Sequence, residues 1–130
     1  MIKYLAFSSL SLLLAFHLHA SDAFDEAQKV FSQKDYPKAL ELFTQACNEK
    51  DGAACRELGY MYDHAWGTPK DSVKAVGFYE KACRAKDGKG CMYLGYMYEN
   101  GRGVKKDIKK SKEFYSDACR FGNMAGCSKQ

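Results

Sequence analysis

Six cysteines are the residues with the most evident chemistry. They stand at positions 47, 55, 83, 91, 119 and 127, three pairs each spaced C-x7-C. An even number of thiols at regular spacing behind an export leader reads as a disulfide framework laid down in an oxidising compartment. The competing uses of thiols fit poorly. No C-x-x-C is present for redox exchange, and no short paired spacing forms a zinc knuckle. Beyond the leader the only histidine is His64, so neither a histidine-built metal site nor a metal-dependent hydrolase is expected, and no cofactor is implied.

The leader is read from residues 1–20. Lys3 gives a positive start, Tyr4 to Leu18 an apolar stretch, and Leu18-His19-Ala20 a small-residue exit before Ser21, the layout of a secretory signal peptide. No later stretch approaches the roughly 20 apolar residues that a spanning helix needs. The mature chain, 21–130, is thus expected to be secreted or periplasmic. Without Lys3 it carries 19 Lys plus Arg against 16 Asp plus Glu, a net charge of +3. That is too small and too mixed in sign for a nucleic-acid partner. The locally basic run Lys105, Lys106, Lys109, Lys110 and Lys112 reads as a solvated helix face that could touch an acidic partner or an anionic envelope polymer.

The cysteine pairs are positioned by a repeat. Shifting the sequence by 36 places superimposes Cys47, Cys83 and Cys119, and likewise Cys55, Cys91 and Cys127. The register extends to Leu42, Phe78 and Phe114, to Phe43, Tyr79 and Tyr115, and to Ala46, Ala82 and Ala118. Leu58-Gly59-Tyr60-Met61-Tyr62 recurs as Leu94-Gly95-Tyr96-Met97-Tyr98. A period of this length marks a solenoid.

Within a unit the apolar residues recur at helical spacing, as at Ala75, Phe78, Tyr79 and Ala82, then Leu94, Met97 and Tyr98, giving two helices per unit. Asp51-Gly52, Asp87-Gly88 and Gly122-Asn123 break the chain between them, their glycine or asparagine accepting left-handed backbone. Asp71 and Asp107 stand as N-caps. The region at about 24–32 lacks cysteine and reads as a capping helix, with units at about 52–87 and 88–123. One hairpin cannot bury its own apolar face, so the units must stack. Gly59, Gly95, Ala46 and Ala82 are then the points of close approach, with Tyr62 and Tyr98 filling the space between hairpins. Each cysteine pair brackets an interhelix turn, where a bridge needs Cα atoms about 4.4–6.8 Å apart. The pairing expected is Cys47–Cys55, Cys83–Cys91 and Cys119–Cys127.

The period, Leu-Gly-x-x-Tyr, Gly-x-Gly-Val-x-x-Asp at Gly101 to Asp107 and Phe-Tyr-x-x-Ala together resemble the Sel1-like repeat, a relative of tetratricopeptide repeats. With one C-x7-C per unit the chain resembles the Helicobacter cysteine-rich proteins. Asn48 in place of the later arginines and Trp66-Gly67-Thr68-Pro69 in place of Arg-Gly-Val-Lys are departures from the repeat. The resemblance implies an all-α, right-handed superhelical solenoid of disulfide-stapled hairpins. It also implies penicillin binding with weak β-lactamase activity, and links to host or envelope components.

Two functions are therefore open. As a β-lactamase the chain would need a serine nucleophile, yet Ser-x-x-Lys, Ser-Asp-Asn and Lys-Thr-Gly are absent and Ser116-Asp117-Ala118 only approximates the second. Catalysis would have to arise where Glu41, Glu80, Lys81 and Glu113 of successive first helices converge on a concave face, in a groove that takes a β-lactam as a mimic of a peptidoglycan-like ligand. The alternative is a noncatalytic monomer that grips a peptide or protein in the same groove, the usual employment of solenoid surfaces.

Overall fold

The computed structural model describes residues 20–130. The signal-peptide segment lies outside them except for Ala20. Seven helices follow in order among the described residues: α1 Ala20–Ser32, α2 Tyr36–Asn48, α3 Gly52–His64, α4 Ser72–Arg84, α5 Gly88–Asn100, α6 Ile108–Arg120 and the single turn α7 Met124–Cys127. There is no strand among them, and no helix is long and apolar enough to cross a membrane.

Each helix from α2 onward begins on a side chain suited to that task. Asp35, Asp51, Asp71, Asp87 and Asp107 accept hydrogen bonds from the amides of Lys38, Ala54, Lys74, Gly90 and Lys110, and Asn123 accepts from Ala125. These bonds satisfy amides that have no partner within the helix.

Helix ends differ from the sequence expectation. The left-handed residues after α2 and α4 are Lys50 and Lys86, with φ of 67° and 64°, whereas Gly52 and Gly88 are already helical. Only Gly122 takes the left-handed role assigned to it. Gly52 and Gly88 are needed for closeness instead: a Cβ on Gly52 would stand 2.9 Å from Ala85 Cβ, and one on Gly88 2.9 Å from the Phe121 carbonyl oxygen. These glycines let one interhelix turn rest on the next.

The helices stack in sequence, each packing on its neighbours in the chain, and the stack is held by two alternating kinds of contact. Across the short turns after α2, α4 and α6, disulfides join Cys47 to Cys55, Cys83 to Cys91 and Cys119 to Cys127, with Cα atoms 4.5–4.7 Å apart. Across the long loops, which join α3 to α4 and α5 to α6, a tyrosine lies on a glycine. The rings of Tyr79 and Tyr115 cover Gly59 and Gly95 so closely that an added Cβ would come within 2.6 Å of them. Both tyrosines are almost wholly buried. Tyr62 on Phe78 and Tyr98 on Phe114 close the other edge of the same junctions, each pair with ring centroids 5.4 Å apart.

The long loops also bind each unit to the one before it. A Cβ on Gly67 would collide with the backbone of Tyr36, and one on Gly103 with that of Ser72. Both glycines have positive φ, 73° and 66°, so they answer two demands at once, conformation and space.

Candidate functional site

In a curved stack the elements on the inside approach one another more closely than those on the outside. Here α3 and α5 meet directly, more closely than the successive first helices α2, α4 and α6 do. The inner face therefore belongs to the second helix of each hairpin, not the first as the sequence suggested.

The four groove residues named from sequence do not converge. Glu41 pairs with Lys38 on its own helix at 3.3 Å, Glu113 is exposed and Lys81 lies over the ring of Phe78. Glu80 faces Arg84 one turn on and borders a separate depression between α4 and α6. None of them lines the cavity on the inner face. Periodicity assigned them one helix face but could not say which way the stack bends. The run Lys105, Lys106, Lys109, Lys110 and Lys112 is exposed along α6 and the loop before it, with Lys110 over the ring of Tyr98.

The inner face holds a cavity of about 320 Å³. Tyr60 and His64 of α3 form one wall, and Tyr93 and Tyr96 of α5 the other. Tyr79 and Met97 lie beneath, both buried. The Tyr60 and His64 rings stack at 4.0 Å, Tyr60 stands 6.2 Å from Tyr93, and Tyr93 lies 5.2 Å from Tyr79. Tyr96 remains 42% exposed, the most open tyrosine of the group. Burial, with the negative charge of Asp63 nearby, pushes the Tyr79 hydroxyl far above its ordinary range, and burial likewise raises Tyr93. These phenols are neutral contact surfaces, not proton carriers at neutral pH.

The charges at the rim are already paired. Asp63, 5% exposed, accepts from Arg102 Nη2 at 2.7 Å and from Ser72 Oγ at 3.2 Å. Glu99 accepts from the Tyr115 hydroxyl at 2.6 Å and from Lys129 Nζ at 3.3 Å. The Tyr115 hydrogen bond, with the charge of Lys129, holds the Glu99 carboxyl below its usual range against the weaker opposing pull of desolvation. At the far end of α3, Arg56 bridges Glu57 and Asp87, the cap of α5. Among the described residues no three His, Cys, Asp or Glu side chains gather to hold a metal, and every buried polar side-chain atom has a partner.

The departure at Trp66 has a structural reason. Position 66 reaches back over the preceding unit, as Arg102 does one unit later. Arg102 finds the Asp63 carboxylate there, whereas the equivalent residue before Trp66 is Ala27. Trp66 instead packs against Phe31, Tyr36 and Tyr60, with centroids 5.2–5.6 Å apart.

The family model described as Sel1 repeat matches residues 30–51, 52–87 and 88–123. The chain belongs to the Sel1 repeat family. The matched units of this Sel1 protein each run from one short turn to the next, so every complete unit contains a long-loop junction with its tyrosine on glycine. No curated protein matches the sequence, but solved structures do. A Sel1 repeat protein from Oxalobacter formigenes is similar at 26% identity and a TM-score of 0.79, over 83% of this chain and 46% of that one. A protective antigen of uropathogenic Escherichia coli with the same kind of repeat fold has the same identity, TM-score and coverage of this chain, over 24% of its own length. Helicobacter pylori cysteine-rich protein B is 28% identical with a TM-score of 0.69, over 84% of this chain and 92% of that one. The chain thus spans less than half the length of the first two relatives. The stack is a Sel1 solenoid of the cysteine-rich kind, and its three disulfides mark an extracytoplasmic protein.

Proposed function

We propose that this Sel1 protein is a noncatalytic scaffold that holds an extended peptide segment of a protein partner in the tyrosine-lined cleft between α3 and α5. The observation that carries this reading is Tyr96, left 42% exposed beside Tyr60 and Tyr93 in a concave site. Aromatic side chains lose little conformational freedom on binding and dominate the energy of peptide and protein interfaces. Extended inner surfaces are what helical solenoids offer to partners.

Hydrolysis of a β-lactam draws no such support. An acyl-transfer site needs a nucleophile beside a free base. The cleft's Asp63 accepts from Ser72 and is already neutralised by Arg102, while its Tyr115 and Lys129 are both engaged by Glu99. The ring nitrogen Nδ1 of His64 faces the Tyr60 carbonyl. Residues 1–20 would carry the chain out of the cytoplasm, and Ser21 at the N-terminus of the exported protein would establish that step.

Selection of peptides from a random library on the oxidised protein tests the reading. Tyr96→Ala should lower the affinity of the selected peptides roughly tenfold while the protein still unfolds in one cooperative transition, because Tyr96 lies outside the buried core. Unchanged affinity in that variant, or equal capture by the reduced and unfolded chain, would remove the cleft from the function.

A further inference from the structure

The first helices carry a second feature on the face away from the cleft. Along α4, where it lies against the preceding hairpin, two depressions of about 270 and 460 Å³ adjoin at Lys81, which lines both. Lys74, Gly77 and Phe78 border the first with Tyr62 of α3, and Lys50, Arg84 and the Cys47–Cys55 disulfide border the second. Cations line this groove throughout and no carboxylate does.

The repeat shows that the fold does not require such a surface. One unit on, where α6 lies against the α4–α5 hairpin, Lys110 and Phe114 match Lys74 and Phe78, but the depression there also has Glu80 and Asp117. Those two carboxylates hold the positions of Thr44 and Lys81. Gly77 likewise stands where the neighbouring units have Glu41 and Glu113. Glycine weakens the middle of a helix, and no packing calls for this one, since an added Cβ would meet nothing within 4 Å. Gly77 therefore leaves an open, uncharged floor beside Phe78.

The cations are exposed and largely unengaged. Lys74 and Lys81 each lie 5.3 Å from a ring centre, of Tyr62 and Phe78 respectively. Among the described residues neither they nor Lys50 form an ion pair, and Glu41 on α2 is taken by Lys38. Arg84 reaches only Glu80, at 3.9 Å, and is 79% exposed. Lys74 and Lys81 stand two helical turns apart, roughly 10 Å. In an extended chain residues i, i+2 and i+4 share one face, the outer two about 13 Å apart, a difference that flexible lysine side chains absorb.

We propose that this groove is a second docking surface, separate from the cleft, for an extended acidic segment of a partner protein. Its alternate residues run acidic, apolar, acidic: the carboxylates meet Lys74 and Lys81, and the apolar side chain between them covers Gly77 and Phe78. A fully charged polymer would complement the lysines but leave that apolar floor in water, so a peptide suits the groove better.

The test titrates oxidised, isotope-labelled protein with acetyl-Glu-Ser-Phe-Ser-Glu amide. The Gln-Ser-Phe-Ser-Gln amide serves as its uncharged isostere, and heparin as a polyanion without apolar side chains. Amide shifts at Gly77 and Phe78 should saturate with the acidic peptide, and the isostere should bind about five- to twentyfold more weakly, the worth of two exposed ion pairs. Gly77→Glu should weaken the acidic peptide about fivefold relative to Gly77→Gln, which fills the same space without charge. Both variants should keep the fold, because the space above position 77 is open. Equal affinity for the two peptides, or shifts centred on Tyr60 and Tyr96 in place of Gly77, would overturn the site. Saturation of the groove amides by heparin with no response to the acidic peptide would assign the surface to a polyanion and overturn the peptide reading. The cleft stands or falls apart from this, since Tyr96→Ala leaves the α4 groove intact.

Discussion

The short turns and the long loops solve the same problem in opposite ways. At a short turn, two helices are joined covalently through cysteines eight residues apart. At a long loop no covalent link exists, and two helices are joined by a buried ring on a bare glycine, with a second aromatic pair at the edge. Chain connectivity and structural connectivity are thus out of step. The unit matched by the family model, 52–87, has its noncovalent junction at its centre and its covalent links at its borders. The contact that admits least alteration lies inside the unit, and the disulfide is an addition at the boundary.

Overfilling the glycine seat should have the largest effect. Gly59→Val would drive branched methyl groups into the Tyr79 ring, already 2.6 Å from any added Cβ, and should destabilise the chain by about 3 kcal/mol or more, read by denaturant unfolding. Replacing Cys83 and Cys91 together with alanine should cost less, roughly 2–3 kcal/mol, and leave the far-ultraviolet circular dichroism of the folded state unchanged. A larger loss from the disulfide pair than from the filled seat would reverse the ranking.

Arg102→Ala strips the buried Asp63 of its cation while leaving both the disulfides and the tyrosine–glycine contacts in place. The loss should be about 2 kcal/mol, largely relieved when Asp63→Asn is added, as a double-mutant cycle would show. Alkaline titration probes the seat without substitution. The Tyr79 hydroxyl is raised well above its ordinary 10.0, burial first and Asp63 second. A folded-state pKa above the unfolded one means the stabilisation is complete below about pH 10 and is lost as pH rises beyond it. Unfolding should therefore set in above that pH, and Tyr79→Phe should shift its onset upward. The smallest effect belongs to the caps: Asp71→Ala should cost about 1 kcal/mol, a few degrees in the unfolding midpoint.

Much of this architecture is legible in the residues. A register of 36 shared by cysteines, aromatics and glycines fixes the number of hairpins and their stacking, because only residues in equivalent environments repeat so completely. Gly52 and Gly88 were misassigned because a glycine required for close approach and one required for left-handed backbone look alike in a string. Lys50 and Lys86 accept the strained conformation instead. The site was harder to see. Which helix lines the inside depends on curvature, a property of many contacts acting together. A signal did exist: Tyr60 and Tyr96 recur in the second helix at a position that the packing of a single hairpin does not require, and Trp66 and Arg102 alternate where one unit reaches back to the last.

The eight-residue reach of every disulfide also bears on how the chain matures. A thiol pair this local is complete once a single hairpin has emerged into an oxidising space, before the next pair follows. Each closure can finish while its neighbours are still in transit, and the nearest competing thiol is 28 residues away. Oxidation can then proceed in the order of synthesis, one rung at a time, with little need for an isomerase to undo wrong partners.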